Sequence, residues 1–169
     1  MDFLKVIKKR KSIRKFQAKE IEKEKIQKIL EIVRQAPSAG NLQAYKIFVV
    51  KSKTIKERFF TVTYRHRWAK EAAILFVFCA DKAGSSERYG QRGANLYAVQ
   101  DATIACAYAQ LAIVDLNLGS VWIGSFDEER IKKALNTGLI PIAILAAGYP
   151  AEDPVRPAKK KIKELSKII

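Results

Sequence analysis

The sequence predicts an α+β layered sandwich, a sheet with helices packed on its faces, and three observations carry that reading. Strand-like and helix-like stretches succeed one another without the regular βαβ alternation of a doubly wound parallel sheet. One run, "AAILFVFCA" at 72–80, is fully apolar and suited to a central strand, and "IPIAILAAGY" at 140–149 reads as the last strand. Between them, about Leu96 to Leu118 reads as one long helix, apolar on most faces through Tyr97, Ile104, Ala105, Tyr108, Leu111 and Ala112. A helix that apolar must be buried, in the domain centre or in a subunit interface.

The other elements follow in chain order. Residues 2–9 predict a short helix with Phe3, Leu4 and Ile7 on one side. Ile26, Ile29, Leu30, Ile32 and Val33 recur at helical spacing, so 21–36 is a helix, and Pro37 stops it. "PSAGN" is a loop of turn formers, "YKIFVV" at 45–50 a β-branched strand, and "KTIKERFF" at 53–60 a helix. "SSERYGQRG" at 85–93 reads as a loop, and Gly119 as the left-handed residue that ends the long helix. "SVWIG" at 120–124 is a strand, and "EERIKKAL" at 128–135 a helix capped by Asp127. With no repeat or linker, 1–169 is one domain; residues 151–169, interrupted by Pro154 and Pro157, form an extended basic arm that cannot be compact alone.

Composition narrows the function. Hydrophobic residues make up 49% of the 169, far from a disordered composition. No apolar run reaches the length of a membrane helix and no signal pattern opens the chain, so the expectation is a soluble, cytoplasmic protein without a membrane partner. Cys79 and Cys106 sit far apart in apolar runs and read as buried free thiols. His66 is the single histidine, which argues against a His/Cys metal site and against a Ser-His-Asp triad. The net charge of +15 raises nucleic acid as a partner, but the lysines alternate with glutamates, as in "EIEKEKIQKILE", and are denser only in 5–15 and in "RPAKKKIKE". A nucleic-acid binder would cluster cations with aromatics on one face, and that class ranks well below an enzyme. No GxGxxG follows a strand and no GxxxxGK[ST] is present.

Four stretches stand out: "RKSIRKF" at 10–16, "PSAGNLQ" at 37–43, "VWIGSF" at 121–126 and "AAGYPAE" at 146–152. Each alone has a bland explanation: a basic helix end, a helix stop, a core aromatic, a strand end. In this order and spacing, with "RYGQRGANLYAVQDA" leading into the long helix, they resemble the nitroreductase family of FMN-dependent oxidoreductases over about residues 3–165.

The resemblance implies a nitroreductase-like sandwich with a mixed, largely antiparallel sheet, and a homodimer with FMN at its interface. It implies hydride transfer from NADH or NADPH through flavin N5 to a nitroaromatic, a quinone or a similar acceptor by a ping-pong cycle. Arg10, Lys11 and Ser12 would grip the phosphate, and Arg14 would sit near the flavin pyrimidine edge. Pro37, Ser38, Ala39, Gly40 and Asn41, with Gln43, would line the flavin from the partner subunit. Trp122, Ile123 and Gly124 would lie along the ring, with the Gly124 N–H toward N5. His66 matches a polar amide near a flavin carbonyl. Lys159, Lys160 and Lys161 match a basic patch returning to the phosphate, with no choice among the three. Trp122 stands evenly between core aromatic and flavin neighbour. No catalytic side chain and no metal are required. The chain lacks a helical excursion before "VWIG", which suggests an open flavin face. The alternatives are a specialised flavin enzyme of the same fold (dehalogenation or flavin modification), a flavin-binding sensor, and a basic nucleic-acid-binding protein.

Overall fold

The computed structural model describes residues 2–64 and 66–169. In chain order its elements are α1 (Phe3–Lys9), α2 (Lys23–Val33), β1 (Tyr45–Val50), α3 (Lys53–Val62), α4 (Trp68–Glu71), β2 (Ile74–Ala80), α5 (Lys82–Arg92), α6 (Ala98–Asp115), β3 (Gly119–Ile123), α7 (Glu128–Leu135), β4 (Ile140–Gly148) and α8 (Ile162–Leu165). The four strands form one sheet in the order β1-β2-β4-β3, and all three pairings are antiparallel. The expected α+β sandwich is therefore present, with the two apolar runs at the sheet centre.

Alternation along β2 explains the two layers. Ile74, Phe76 and Phe78 face a cluster that includes Ile26, Ile29 and Val33 of α2 and Ala105, Ala109 and Ile113 of α6. Leu75, Val77 and Cys79 face the opposite cluster, with Phe59 and Val62 of α3 and Ile131 of α7. All seven β2 residues are buried, which is why this strand reads as a continuous apolar run. Alanines 98, 102, 105, 109 and 112 of α6 are buried and let the helix approach the sheet closely. Its other side is not fully covered. Gln100, Thr103 and Ala107 are exposed, and Ile104, Tyr108 and Leu111 are half-buried. The helix predicted to be buried is thus buried on one face only.

Three expectations are corrected. The stretch 85–93 is not a loop, because α5 runs through most of it. Its Gly/Ser-rich composition hides the helix, but Asp81 accepts the Gly84 N–H at 3.0 Å as an N-cap and Ser85 packs into the interior. Gly90, at φ 55° and ψ −144°, then breaks the helix before a π-helical turn over Gly93–Tyr97 leads into α6. Gly119 does not end the long helix either. α6 stops at Asp115, Asn117 takes the left-handed conformation at φ 58°, and Gly119 opens β3. Gly119 is required instead by a neighbour, since a Cβ there would lie 2.7 Å from Ile13 Cγ1 and 2.9 Å from Ile13 Cβ. α2 is shorter than 21–36, since after Val33 the chain tightens into i→i+3 turns, Gln35 N to Ile32 O and Ala36 N to Val33 O, before Pro37.

Gly119→Ala is expected to destabilise the fold by about 1–3 kcal/mol, because Ile13 must be displaced. Gly138→Ala, where a Cβ meets nothing within 4 Å, is expected to change stability by less than about 0.5 kcal/mol. Denaturant unfolding of the two variants beside the parent protein measures both.

Candidate functional site

The segment 10–17 lies against the free edge of β3 and the end of β4. Ser12 bridges Ser120 in parallel, and the Ile13 N–H donates to Ser120 O at 2.9 Å. Phe16 bridges Pro150, Gln17 N–H donates to Tyr149 O, and Ala151 N–H donates to Lys15 O. The elbow is thus sewn to both strands by backbone bonds, and its side chains are aimed by that frame. Arg10, Lys11, Ser12 and Arg14 line one cavity of about 230 Å³ together with Pro154–Pro157 and Lys159. Of the three C-terminal lysines, Lys159 reaches this cavity; Lys160 and Lys161 do not line it, and the Lys161 backbone N–H donates to Glu164 Oε1 in α8.

The "PSAGN" loop sits elsewhere, between α2 and β1. Asp101, at the start of α6 and 2% exposed, accepts the Ala39 N–H at 2.9 Å through Oδ1, while its Oδ2 is buried with no partner among the described residues. Gly40 adopts φ 55°, and a Cβ there would collide with the Tyr89 hydroxyl at 2.3 Å, so both the backbone and the close approach demand glycine. Asn41 and Gln43 are also left-handed, at φ 58° and 50°, and the Gln43 amide folds back onto Asn41 O at 2.9 Å. Pro37, Ser38 and Ala39 border an open groove of about 500 Å³ whose other wall is Tyr97, Val99, Gln100, Asp101, Thr103 and Ile104.

The sequence profile of the nitroreductase family matches residues 7–64 and 60–149. The chain belongs to the nitroreductase family. It is 33% identical over 160 residues to a Methanothermobacter thermautotrophicus protein provisionally named NADH dehydrogenase/NAD(P)H nitroreductase, covering 91% of this chain and 80% of that one. An NADPH-dependent oxidoreductase from Staphylococcus aureus is 27% identical over 172 residues, 93% of this chain and 68% of its own. Among solved structures, a nitroreductase family protein from Clostridium novyi superposes with a TM-score of 0.80 at 30% identity, over 90% of this chain and 87% of that one. One from Streptococcus pneumoniae reaches 0.90 at 19% identity over 99% and 100%, which speaks for the fold.

Within this nitroreductase fold, β3 carries the third motif. Val121 and Ile123 are buried, whereas Trp122 points outward and is 36% exposed, so it is not a core aromatic. Gly124, just past the strand, is exposed, and the Trp122 Nε1 comes within 3.6 Å of where a Cβ on Gly124 would sit. His66 stacks on Trp68 with centroids 4.5 Å apart, and the Arg14 guanidinium lies 5.7 Å from the same indole. His66 is therefore joined to the elbow through Trp68, and it does not line the elbow cavity. Burial pushes the Cys79 thiol up to about 12 and the Cys106 thiol higher still, so neither is a nucleophile near neutral pH.

Sequence reading missed two residues. Arg156 lines the cavity and its guanidinium donates to Lys8 O, tying the start of the arm to α1. Glu152, quoted in "AAGYPAE" without a role, accepts the N–H groups of Arg14 at 2.5 Å and Lys15 at 3.2 Å through one oxygen. Its neighbour Asp153 pairs with Lys11, so that cation is partly neutralised. No signal near Arg14 points to Glu152, which is 138 residues away.

Loss of this charge-assisted bonding in Glu152→Ala removes about 1.5–3 kcal/mol of local restraint, so hydrogen exchange at the Arg14 and Lys15 amides is expected to quicken roughly tenfold or more. Glu24→Ala, on the outer face of α2, leaves both rates unchanged.

Proposed function

We propose that the chain is an FMN-dependent NAD(P)H oxidoreductase that works as a homodimer, with the FMN phosphate held in the elbow cavity. The observation that carries this reading is the donor set of that cavity. Arg10, Ser12, Arg14, Arg156 and Lys159 converge on one small space, and no acidic side chain is among its lining residues. A phosphate dianion fits such a set, because guanidinium forks and a hydroxyl match its oxygens and the charges offset its own. When bound, FMN supplies two-electron redox chemistry, taking hydride from a nicotinamide and returning it to an oxidised acceptor.

The chain's own residues bind and orient. Arg10, Arg156 and Lys159 hold the phosphate end, with Lys11 a weaker contributor because Asp153 engages it. Arg14, held through its N–H by Glu152 and against Trp68 by a cation–π contact, keeps a positive charge at the inner end of the elbow, where an anionic reduced ring is favoured. Gly124 offers an uncovered N–H past β3, and Trp122 flanks it on the exposed face. No side chain acts as nucleophile or general base, in keeping with the deeply buried thiols.

Two features support the dimer. The elbow lies toward the C-terminal end of α6, where Val114, Leu118 and Gly119 meet Ile13, whereas the "PSAGN" loop is bound to Asp101 near its N-terminus. Asp101 and Val114 are 13 residues apart on α6, about 20 Å along its axis, so one chain's elbow and loop lie toward opposite ends of the helix. A second copy brings its loop to the first copy's elbow, with Pro37, Ser38, Ala39, Gly40, Asn41 and Gln43 completing the site. Apolar surface is available for that union: Phe3, Leu4 and Ile7 of α1, Ile162 and Leu165 of α8, and the half-buried Ile104, Tyr108 and Leu111 of α6. The open groove and the exposed Trp122 suit flat oxidised acceptors, nitroaromatics or quinones among them.

The purified protein is expected to be yellow and to bleach on addition of NADH or NADPH under nitrogen. Failure to take up FMN on reconstitution overturns the proposal, and a yellow protein inert to both nucleotides points to a specialised reaction on the same fold. Arg10→Ala is expected to weaken FMN about 10- to 100-fold by removing a charge-assisted contact, while Lys28→Ala, on the exposed face of α2, does not. Equal retention in the two variants, read by equilibrium dialysis, excludes the phosphate assignment.

A further inference from the structure

Lysines and glutamates alternate along α2, but their charges cancel there, and the net charge of the molecule resides elsewhere. Residues 5–15 hold seven cations and no acid, and residues 154–169 hold six cations and one acid, so these two segments account for +12 of the chain's +15. They are 139 or more residues apart in sequence, yet the fold sets the start of the second beside the first. Arg156 donates to Lys8 O, and Arg10, Lys11, Ser12 and Arg14 share a cavity wall with Arg156 and Lys159. The seven cations of 5–15, Arg156 and Lys159 are therefore gathered about the elbow.

A phosphate dianion needs little of this charge. Glu152 and Asp153 offset two of these nine cations and a bound phosphate offsets about two more, which leaves roughly +5 about the elbow. Lys5, Lys8 and Lys15 are exposed and line neither wall of the elbow cavity. A free nicotinamide nucleotide, with its few phosphates, is too small to meet so wide a field. Nucleic acid is a poor match as well: the two segments contain no aromatic residue to stack on a base, and ten of their thirteen cations are Lys, so bidentate phosphate forks are few. The apolar residues of α1 and α8 are assigned above to the seam between copies, which leaves an outer face of lysine ammonium groups without an apolar centre. Such a surface suits a fast, weak, electrostatically steered encounter of the kind redox proteins make.

We propose that this face docks an acidic electron-carrier protein beside the redox centre, an inference that rests on the FMN reading. Reduction of a two-electron, two-proton acceptor then takes one electron from each of two reduced carriers and two protons from water, leaving two oxidised carriers. The acidic patch of the carrier meets Lys5, Lys8 and Lys15, and the carrier's prosthetic group is brought toward the exposed Trp122–Gly124 edge.

The test uses the FMN-loaded protein and a plant-type [2Fe–2S] ferredoxin as probe, with affinity read by calorimetry. Binding is expected to weaken at least about tenfold as ionic strength is raised from low salt to about 0.3 M. Lys5→Glu, Lys8→Glu and Lys15→Glu combined are expected to abolish it, with FMN content and bleaching by NAD(P)H unchanged. The same reversal at exposed sites on other faces, Lys28→Glu, Lys46→Glu and Lys53→Glu, is expected to reduce affinity by less than about threefold. Equal loss in the two triple variants overturns the proposal, because total charge rather than this face would then be read. Tighter binding to phosphatidylserine vesicles or to a single-stranded oligonucleotide than to the ferredoxin also overturns it. A colourless protein that still binds the ferredoxin through this face upholds the docking surface and overturns the FMN reading alone.

Discussion

The backbone pairing of residues 12–17 with the sheet is the constraint on which the proposed site depends. Ile13 N to Ser120 O, Gln17 N to Tyr149 O and Ala151 N to Lys15 O convert a short cationic segment into an extra rung beside β3 and the end of β4. Seven cations within eleven residues repel one another, and a free segment of that composition would be extended and mobile. Backbone bonds are indifferent to side-chain charge, so they hold the segment while its cations stay directed outward. Glu152 adds an anion that accepts the consecutive N–H groups of Arg14 and Lys15 without lining the cavity the cations line.

The pairing also explains the restrictions nearby. Ile13 packs so close to β3 that residue 119 must be glycine. Because Ser12 is fixed opposite Ser120, the outward-facing Trp122 and the strand end at Gly124 follow at a set distance along the same edge. α6 performs the complementary task. Its alanine-lined face lets it lie close on the sheet, and Asp101 at its start anchors the "PSAGN" loop while its C-terminal end reaches the elbow. One helix thus sets the two motif groups toward its opposite ends, and in the proposed dimer a second copy would complete the arrangement at its partly exposed side.

Electrostatics separates binding from docking in this reading. Arg10, Arg14, Arg156 and Lys159 face a confined space, where opposite charge is worth most. The lysines outside it face water, where each contributes little to stability but all contribute to the field that steers a partner.

By itself the sequence determined the sandwich, the central place of β2, the thiols' burial and the family, because alternation, helical periodicity and turn residues are short-range signals and four motifs in register leave little freedom. It also named most of the elbow and loop residues. Tertiary structure alone decided the rest. α5 hid in a Gly/Ser-rich stretch because its cap at Asp81 and the packing of Ser85 outweigh intrinsic propensity. The role of Gly119 depends on Ile13, more than a hundred residues earlier, and Arg156 and Glu152 joined the elbow through chain contacts that no local pattern encodes. The gathering of cations about the elbow is likewise a product of the fold, since residues 5–15 and the start of the C-terminal arm become neighbours only when the sheet has formed between them.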